Sequence, residues 1–88
     1  MIVRIPTPLR SYTAGAAEVG AAGATVAEVV ADLDRQFPGF RFRMVDEHGQ
    51  LRQHVRVWVN QELVRDRSLS VAVTDADEIT IMQALSGG

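Results

Sequence analysis

Val26, Val29, Val30, Leu33 and Phe37 recur at the spacing of one helix face, and Glu28, Asp32, Asp34 and Arg35 fall elsewhere on its surface. Thr25 and Glu28 form a T-x-x-E capping box ahead of this stripe, and Pro38-Gly39 stops it, so the pattern predicts one main helix. Around it the period changes to two. Ile2-Val3-Arg4-Ile5 is β-branched and alternating, which predicts a strand ending at Pro6 or Pro8, because proline cannot donate to a ladder. Val55, Val57 and Val59 face one side of a later strand, with Arg56, Trp58 and Asn60 on the other. Asn60-Gln61-Glu62 then turns into a short edge strand, Leu63-Val64-Arg65. A polar connection carrying Leu69, Val71 and Val73 leads to the turn Thr74-Asp75-Ala76-Asp77 and the strand Glu78-Ile79-Thr80-Ile81-Met82, whose Ile79 and Ile81 point inward and Thr80 and Met82 outward.

Two segments carry a mixed signal. Gly15 through Gly23 is rich in alanine and glycine, poor strand formers, yet a second strand returning antiparallel to the first fits it best. Phe40 to Val45 alternates as a strand does, while Asp46-Glu47-His48-Gly49 behind it suggests a short turn of helix running into a loop. The order is strand, strand, helix, strand, short strand, strand. A right-handed crossover through the helix sets the first and last strands side by side and parallel. This is an α+β fold of the β-grasp type, a mixed sheet of four to five strands packed on one main helix. Residues 1–84 form that domain, and residues 85–88 are expected to be an exposed, flexible tail.

Composition narrows the chemistry. Eighty-eight residues, 47% hydrophobic and 23% charged, suit a single domain with one modest core. The absence of cysteine excludes disulfides, thiolate metal ligands and a cysteine nucleophile. All nine basic residues are arginine and are outnumbered by eleven acidic ones, a net charge of −2 that argues against nucleic acid as a partner. Having no lysine, the chain offers no side-chain amine for linkage of another copy. No run of apolar residues approaches membrane-spanning length and the start does not read as a signal peptide, so no membrane contact and a cytoplasmic location are expected.

Candidate sites are few. His48 and His54 have no neighbouring ligand set, so no metal site is expected, and the glycines at 15, 20 and 23 form no phosphate loop. Asp75, Asp77 and Glu78 lack the spacing of a calcium loop and read as a solvated turn. Trp58 lies on the sheet face away from the helix, beside Arg56 and near Met82. An aromatic with a neighbouring arginine suits a partner interface there, unless the Phe40 to Met44 segment covers it. The remaining feature is the end, Leu85-Ser86-Gly87-Gly88. Glycine has no Cβ, so a diglycine tail can lie extended in a channel too narrow for other residues, with its carboxylate presented. Four residues at about 3.3 Å each reach about 13 Å beyond the domain. The Gly88 carboxylate is the candidate reactive group and Leu85, Ser86 and Gly87 the segment that enters a channel. A carboxylate reacts only once an oxygen becomes a leaving group, which makes the chain the substrate of an activating enzyme and not itself an enzyme.

The chain resembles the ubiquitin-like sulfur carriers related to the small subunit of molybdopterin synthase and to the thiamine sulfur carrier. The resemblance rests on Ile5-Pro6-Thr7-Pro8-Leu9-Arg10, on Thr25-Val26 with Leu33, on Val57-x-Val59-Asn60-x-Glu62-x-x-Arg65, and on Asp75-x-Asp77-x-Ile79-Thr80-Ile81 leading to Gly87-Gly88. It is closest in look to the carriers of bacterial cysteine biosynthesis. It implies that an E1-like partner, using ATP and Mg²⁺, adenylates Gly88, and that a sulfur donor converts it to a thiocarboxylate; the carrier binds no cofactor of its own. Further partners so implied are a PLP-dependent cysteine synthase as sulfur acceptor and a zinc-dependent JAMM-type peptidase. The alternatives are a molybdopterin synthase small subunit and a ubiquitin-like protein modifier.

Overall fold

The computed structural model describes residues 1–84. Strand β1 (Ile2–Arg4) is followed by a 3₁₀ turn (Thr7–Leu9), β2 (Glu18–Gly20), helix α1 (Val26–Gln36), helix α2 (Phe40–Met44), β3 (Val55–Val59), β4 (Glu62–Leu63) and β5 (Glu78–Gln83). The five strands form one mixed sheet in the order β2-β1-β5-β3-β4. β1 runs parallel to β5, and the other neighbours are antiparallel. This is the expected β-grasp sheet. Val3, Val55, Val57, Ile79 and Ile81 turn to its inner face and are buried with Val26, Val29, Val30 and Leu33 of α1. No helix among the described residues is long and apolar enough to cross a membrane.

The start of α1 shows why a long connection is needed between β4 and β5. A helix begins with amide groups that have no intrahelical acceptor. Thr25 Oγ1 accepts the Glu28 amide at 3.2 Å, and Glu28 Oε1 reaches back to the Ala24 amide at 3.3 Å, one residue beyond the usual capping-box partner. The two amides between them are satisfied from the connection, Val26 N by Val71 O at 3.0 Å and Ala27 N by Leu69 O at 2.8 Å. Leu69 holds a left-handed backbone, φ 60°, unusual without glycine, with its side chain buried. Asp66 shapes the loop that delivers it. Its carboxylate accepts the hydroxyl and amide of Ser68 at 2.6 and 3.0 Å, the Ser70 amide at 3.2 Å and the Ser70 hydroxyl. These bonds, the Ser68 hydroxyl first, hold the Asp66 carboxyl down at about 2, against an ordinary 3.8.

Two expectations are corrected, at Asp32 and at the edge strand, and the open choice at Phe40 to Met44 is decided. Asp32 is buried, not on the surface: its carboxylate accepts the Ala22 amide and Gln36 Nε2, each at 3.0 Å, and pairs with Arg35. The strand-to-helix segment brings Ala22 against that flank of α1, and its amide needs an acceptor that apolar periodicity does not register. Phe40 to Met44 is helical, with Phe40 and Met44 buried one turn apart and Phe42 left 67% exposed. Gly39 begins that helix at φ 95°, and Asp34 Oδ1 accepts the amides of Gly39 and Arg41 at 3.2 and 3.0 Å. The edge strand comprises Glu62 and Leu63 in place of Leu63 to Arg65, because Val64 turns into the core.

Replacing Asp32 with alanine leaves the Ala22 amide unpaired and is expected to cost about 1–3 kcal/mol in urea unfolding. An unchanged midpoint and slope would refute that role. The Asp66 loop carries a pH signature of known sign. Its folded carboxyl lies below the ordinary value, so the order it provides is complete above pH 3.8 and is lost as pH falls through about 2. The Ser68 and Ser70 amide resonances are expected to titrate near that lower value, followed by those of Val26 and Ala27; a midpoint at the ordinary carboxylate value would contradict the assignment.

Candidate functional site

β5 is the centre of the site because it is the centre of the sheet. It bonds to β1 on one side and β3 on the other, and the ladder holds to its end, where Gln83 stands opposite Val55 and the Ala84 amide donates to His54 O at 2.8 Å. The candidate residues Leu85, Ser86, Gly87 and Gly88 lie outside the described residues. They come after Ala84 in sequence, beyond the half of β5 that is paired with β3 alone.

The period-two pattern sends Thr80 and Met82 to the face opposite α1, and the register brings the other candidates to them. Arg56 is the cross-strand partner of Met82, and Trp58 that of Thr80. Leu63 stands on the far side of Trp58. Arg56, Trp58 and Met82 are thus neighbours on one face, Met82 53% exposed and Trp58 half-buried. Helix α2 packs with α1, on the other side of the sheet, and leaves Trp58 uncovered. Arg56 does not reach across the indole, since its guanidinium donates to the carbonyls of Gln53 and Val55.

The two halves of this face differ in charge. On the β1 side Arg4 pairs with Glu18 across one strand and with Glu78, at 2.7 Å, across the other. The Glu78 hydrogen bond and then the Glu18 charge hold the guanidinium firmly protonated. On the β3 side Trp58 and Leu63 are flanked by Arg56, and on the β1 side of Met82 a shallow groove is lined by Arg4, Pro6, Pro8, Arg10, Thr80 and Gln83. An apolar centre with a polar margin is the usual composition of a protein-binding patch.

The acidic turn before β5 is structural. Asn60, at φ 55°, donates from its side chain to Asp77 Oδ1 at 3.0 Å and accepts the Glu78 amide at 3.0 Å, while Asp77 Oδ2 accepts the Thr74 amide at 2.8 Å. These bonds, the Thr74 amide foremost, lower the Asp77 carboxyl below its ordinary range. The shared motif residues Asn60 and Asp77 therefore tie the β3–β4 turn to the start of β5. A further cluster was not anticipated: Arg52, Arg56, Arg65 and Arg67 gather around one groove beside the end of β5. The signal available in sequence was only that these arginines flank β3 and β4 without carboxylates at strand-pair spacing.

With this geometry in place, known proteins of the same shape can be compared. The ThiS family matches residues 3–88. The sulfur carrier protein CysO of Mycobacterium tuberculosis is 39% identical over 89 aligned residues, spanning 98% of this chain and 96% of the relative. A chain in the crystal structure of the Amycolatopsis orientalis BexX/CysO complex is 41% identical, with a TM-score of 0.90 over 99% of this chain and 98% of that one. The crystal structure of SAMP1 from Haloferax volcanii matches at 27% identity and a TM-score of 0.78, over 100% of this chain and 98% of that one.

Proposed function

Because the chain belongs to the ThiS family, we propose that it carries sulfur as a thiocarboxylate on Gly88 and donates it in the biosynthesis of cysteine or a related metabolite. The observation that carries this reading is that the family match runs to residue 88 and so includes Gly87-Gly88. An E1-like enzyme binds ATP and Mg²⁺ and directs the Gly88 carboxylate at the α-phosphorus, releasing pyrophosphate. A sulfur donor then attacks the activated carbonyl and displaces AMP. The chain is a co-substrate in this cycle and not a catalyst. Thiocarboxylate sulfur is softer and more nucleophilic than carboxylate oxygen, and attachment to a folded domain delivers it without release as free sulfide. With no cysteine in the sequence, no side-chain thiol is present to take up transferable sulfur. A PLP-dependent synthase is the proposed acceptor, and a zinc-dependent JAMM-type peptidase the proposed means of freeing the product.

The similarity to SAMP1 favours a second reading, a modifier whose carboxylate is joined to amines of other proteins. Intact mass separates the two. Incubation with ATP, Mg²⁺, the activating enzyme and a sulfur source is expected to raise the mass by the difference between one sulfur and one oxygen atom, confined to the terminal peptide. Replacing Gly87 with tryptophan is expected to abolish that change with the fold intact. A constant mass with accumulating isopeptide adducts overturns the carrier reading.

The same reading assigns the Arg56, Trp58 and Met82 face to the activating enzyme, since a protein that engages the tail must close over the end of β5. Truncating a central interface aromatic typically costs about 2 kcal/mol or more. Trp58→Ala is accordingly expected to weaken that complex by at least about thirtyfold, measured by calorimetry, and to change unfolding stability less. Unaltered affinity in the folded variant returns Trp58 to a purely structural role.

A further inference from the structure

Arg52, Arg56, Arg65 and Arg67 line one groove over Leu51 and Leu63. They come from three places in the chain: the loop before β3, β3 itself and the connection after β4. Their hydrogen bonds go to main-chain carbonyls. Arg52 Nε donates to Phe42 O at 2.9 Å, with its guanidinium 4.9 Å from the centre of the Phe42 ring; Arg56 donates to Gln53 O and Val55 O, and Arg67 to Leu51 O. A carbonyl orients a guanidinium without cancelling its charge. Among the described residues, no carboxylate lies within 4.0 Å of any of the four; the same holds for Arg10, Arg41 and Arg43, but only these four share one groove. Asp66, which stands between Arg65 and Arg67 in sequence, is committed to Ser68 and Ser70. The result is four guanidiniums without a carboxylate in direct contact among the described residues, three of them oriented by carbonyls, on a chain whose net charge is −2.

The groove also adjoins the end of β5. Arg56 stands opposite Met82, and Ala84 bonds to His54, two residues before Arg56 and two after Arg52. Four further residues span at most about 14 Å, and a protein footprint of standard size covers about 800 Å². A protein that engages Gly88 is therefore within reach of this groove. From these observations we propose that the arginine groove seats a carboxylate-bearing surface of the protein that takes up the tail. The identity of that partner rests on the carrier reading; the charge chemistry of the groove does not.

An acidic protein surface fits better than a nucleic acid. A phosphate backbone carries a charge about every 1.7 Å along the duplex axis. The groove offers four arginines on a chain whose net charge is −2, so an extended polyanion running past it finds little further positive charge. A folded partner can place its carboxylates locally, and planar guanidiniums accept them as paired, charge-assisted hydrogen bonds.

Two measurements test this, the first without tail or enzyme. On adding a hexaglutamate peptide at low salt, the Nε–Hε resonances of Arg52, Arg56, Arg65 and Arg67 are expected to shift selectively among the nine arginines, and the shifts to vanish in Arg65→Glu. Arg65 is the useful variant because its guanidinium holds no main-chain carbonyl among the described residues. Absent shifts, shifts spread over all nine, or displacement of the peptide by a short oligothymidylate overturn the proposal. In the second, kcat/KM for activation of Arg65→Glu is expected to fall about tenfold or more at low salt and to converge on wild type as salt rises. Wild-type activation with an equally good Arg65→Glu refutes the groove while leaving the carrier reading intact; no activation of wild type, with the selective peptide shifts present, refutes the carrier reading alone.

Discussion

Everything about this protein's candidate site depends on the parallel ladder between β1 and β5. That pairing, Val3 opposite Ile79 and Arg4 opposite Thr80, joins the two ends of the sequence and makes the last strand the middle strand. An edge strand leaves half its main-chain groups to solvent and frays accordingly. β5 has a neighbour on each side over Glu78, Ile79 and Thr80, and its end is held by β3 through Gln83 and Ala84. The inner face is bound by Ile79 and Ile81 packing under α1, and the outer face is free for recognition. Alternation along one six-residue strand thus buries one face under α1 and leaves the other exposed.

Helix α1 is held over the sheet by a main chain that neither element supplies. Leu69 and Val71 bring carbonyls to the first amides of the helix, and Thr25 and Glu28 complete the cap. The flank of α1 is fixed by Asp32, bound to the strand-to-helix segment at Ala22, with Gln36 reaching Gly20 O at 3.0 Å. These ties hold at both ends of the inner layer and leave the outer face unencumbered.

Much of this was legible in the sequence, and for a physical reason. The capping box, the Val26 to Phe37 stripe and the alternation of β3 and β5 are local patterns, each written within a dozen residues. They fix which side chains share a face, so Arg56, Trp58 and Met82 could be placed together before their contacts were known. What failed depended on distant partners. Asp32 is buried because a loop amide ten residues earlier in the chain bonds to it. Phe40 to Met44 satisfies both periods over five residues, and burial of Phe40 with Met44 decides for the helix. The four groove arginines are set by loops whose path no periodicity specifies.

The ladder that centres β5 also orders events in the life of the chain. Without residues 78–83 the sheet falls into two pieces, β2 with β1 and β3 with β4, which share no ladder of their own. Contacts between segments so far apart in sequence form late, after the entropy of closing the whole chain has been overcome. During synthesis, which proceeds from the amino end, the two pieces wait for the strand that unites them. A chain cut short before Glu78 therefore lacks the folded face as well as the tail, and an enzyme that reads the outer face of the sheet discriminates finished molecules from fragments with no separate inspection step.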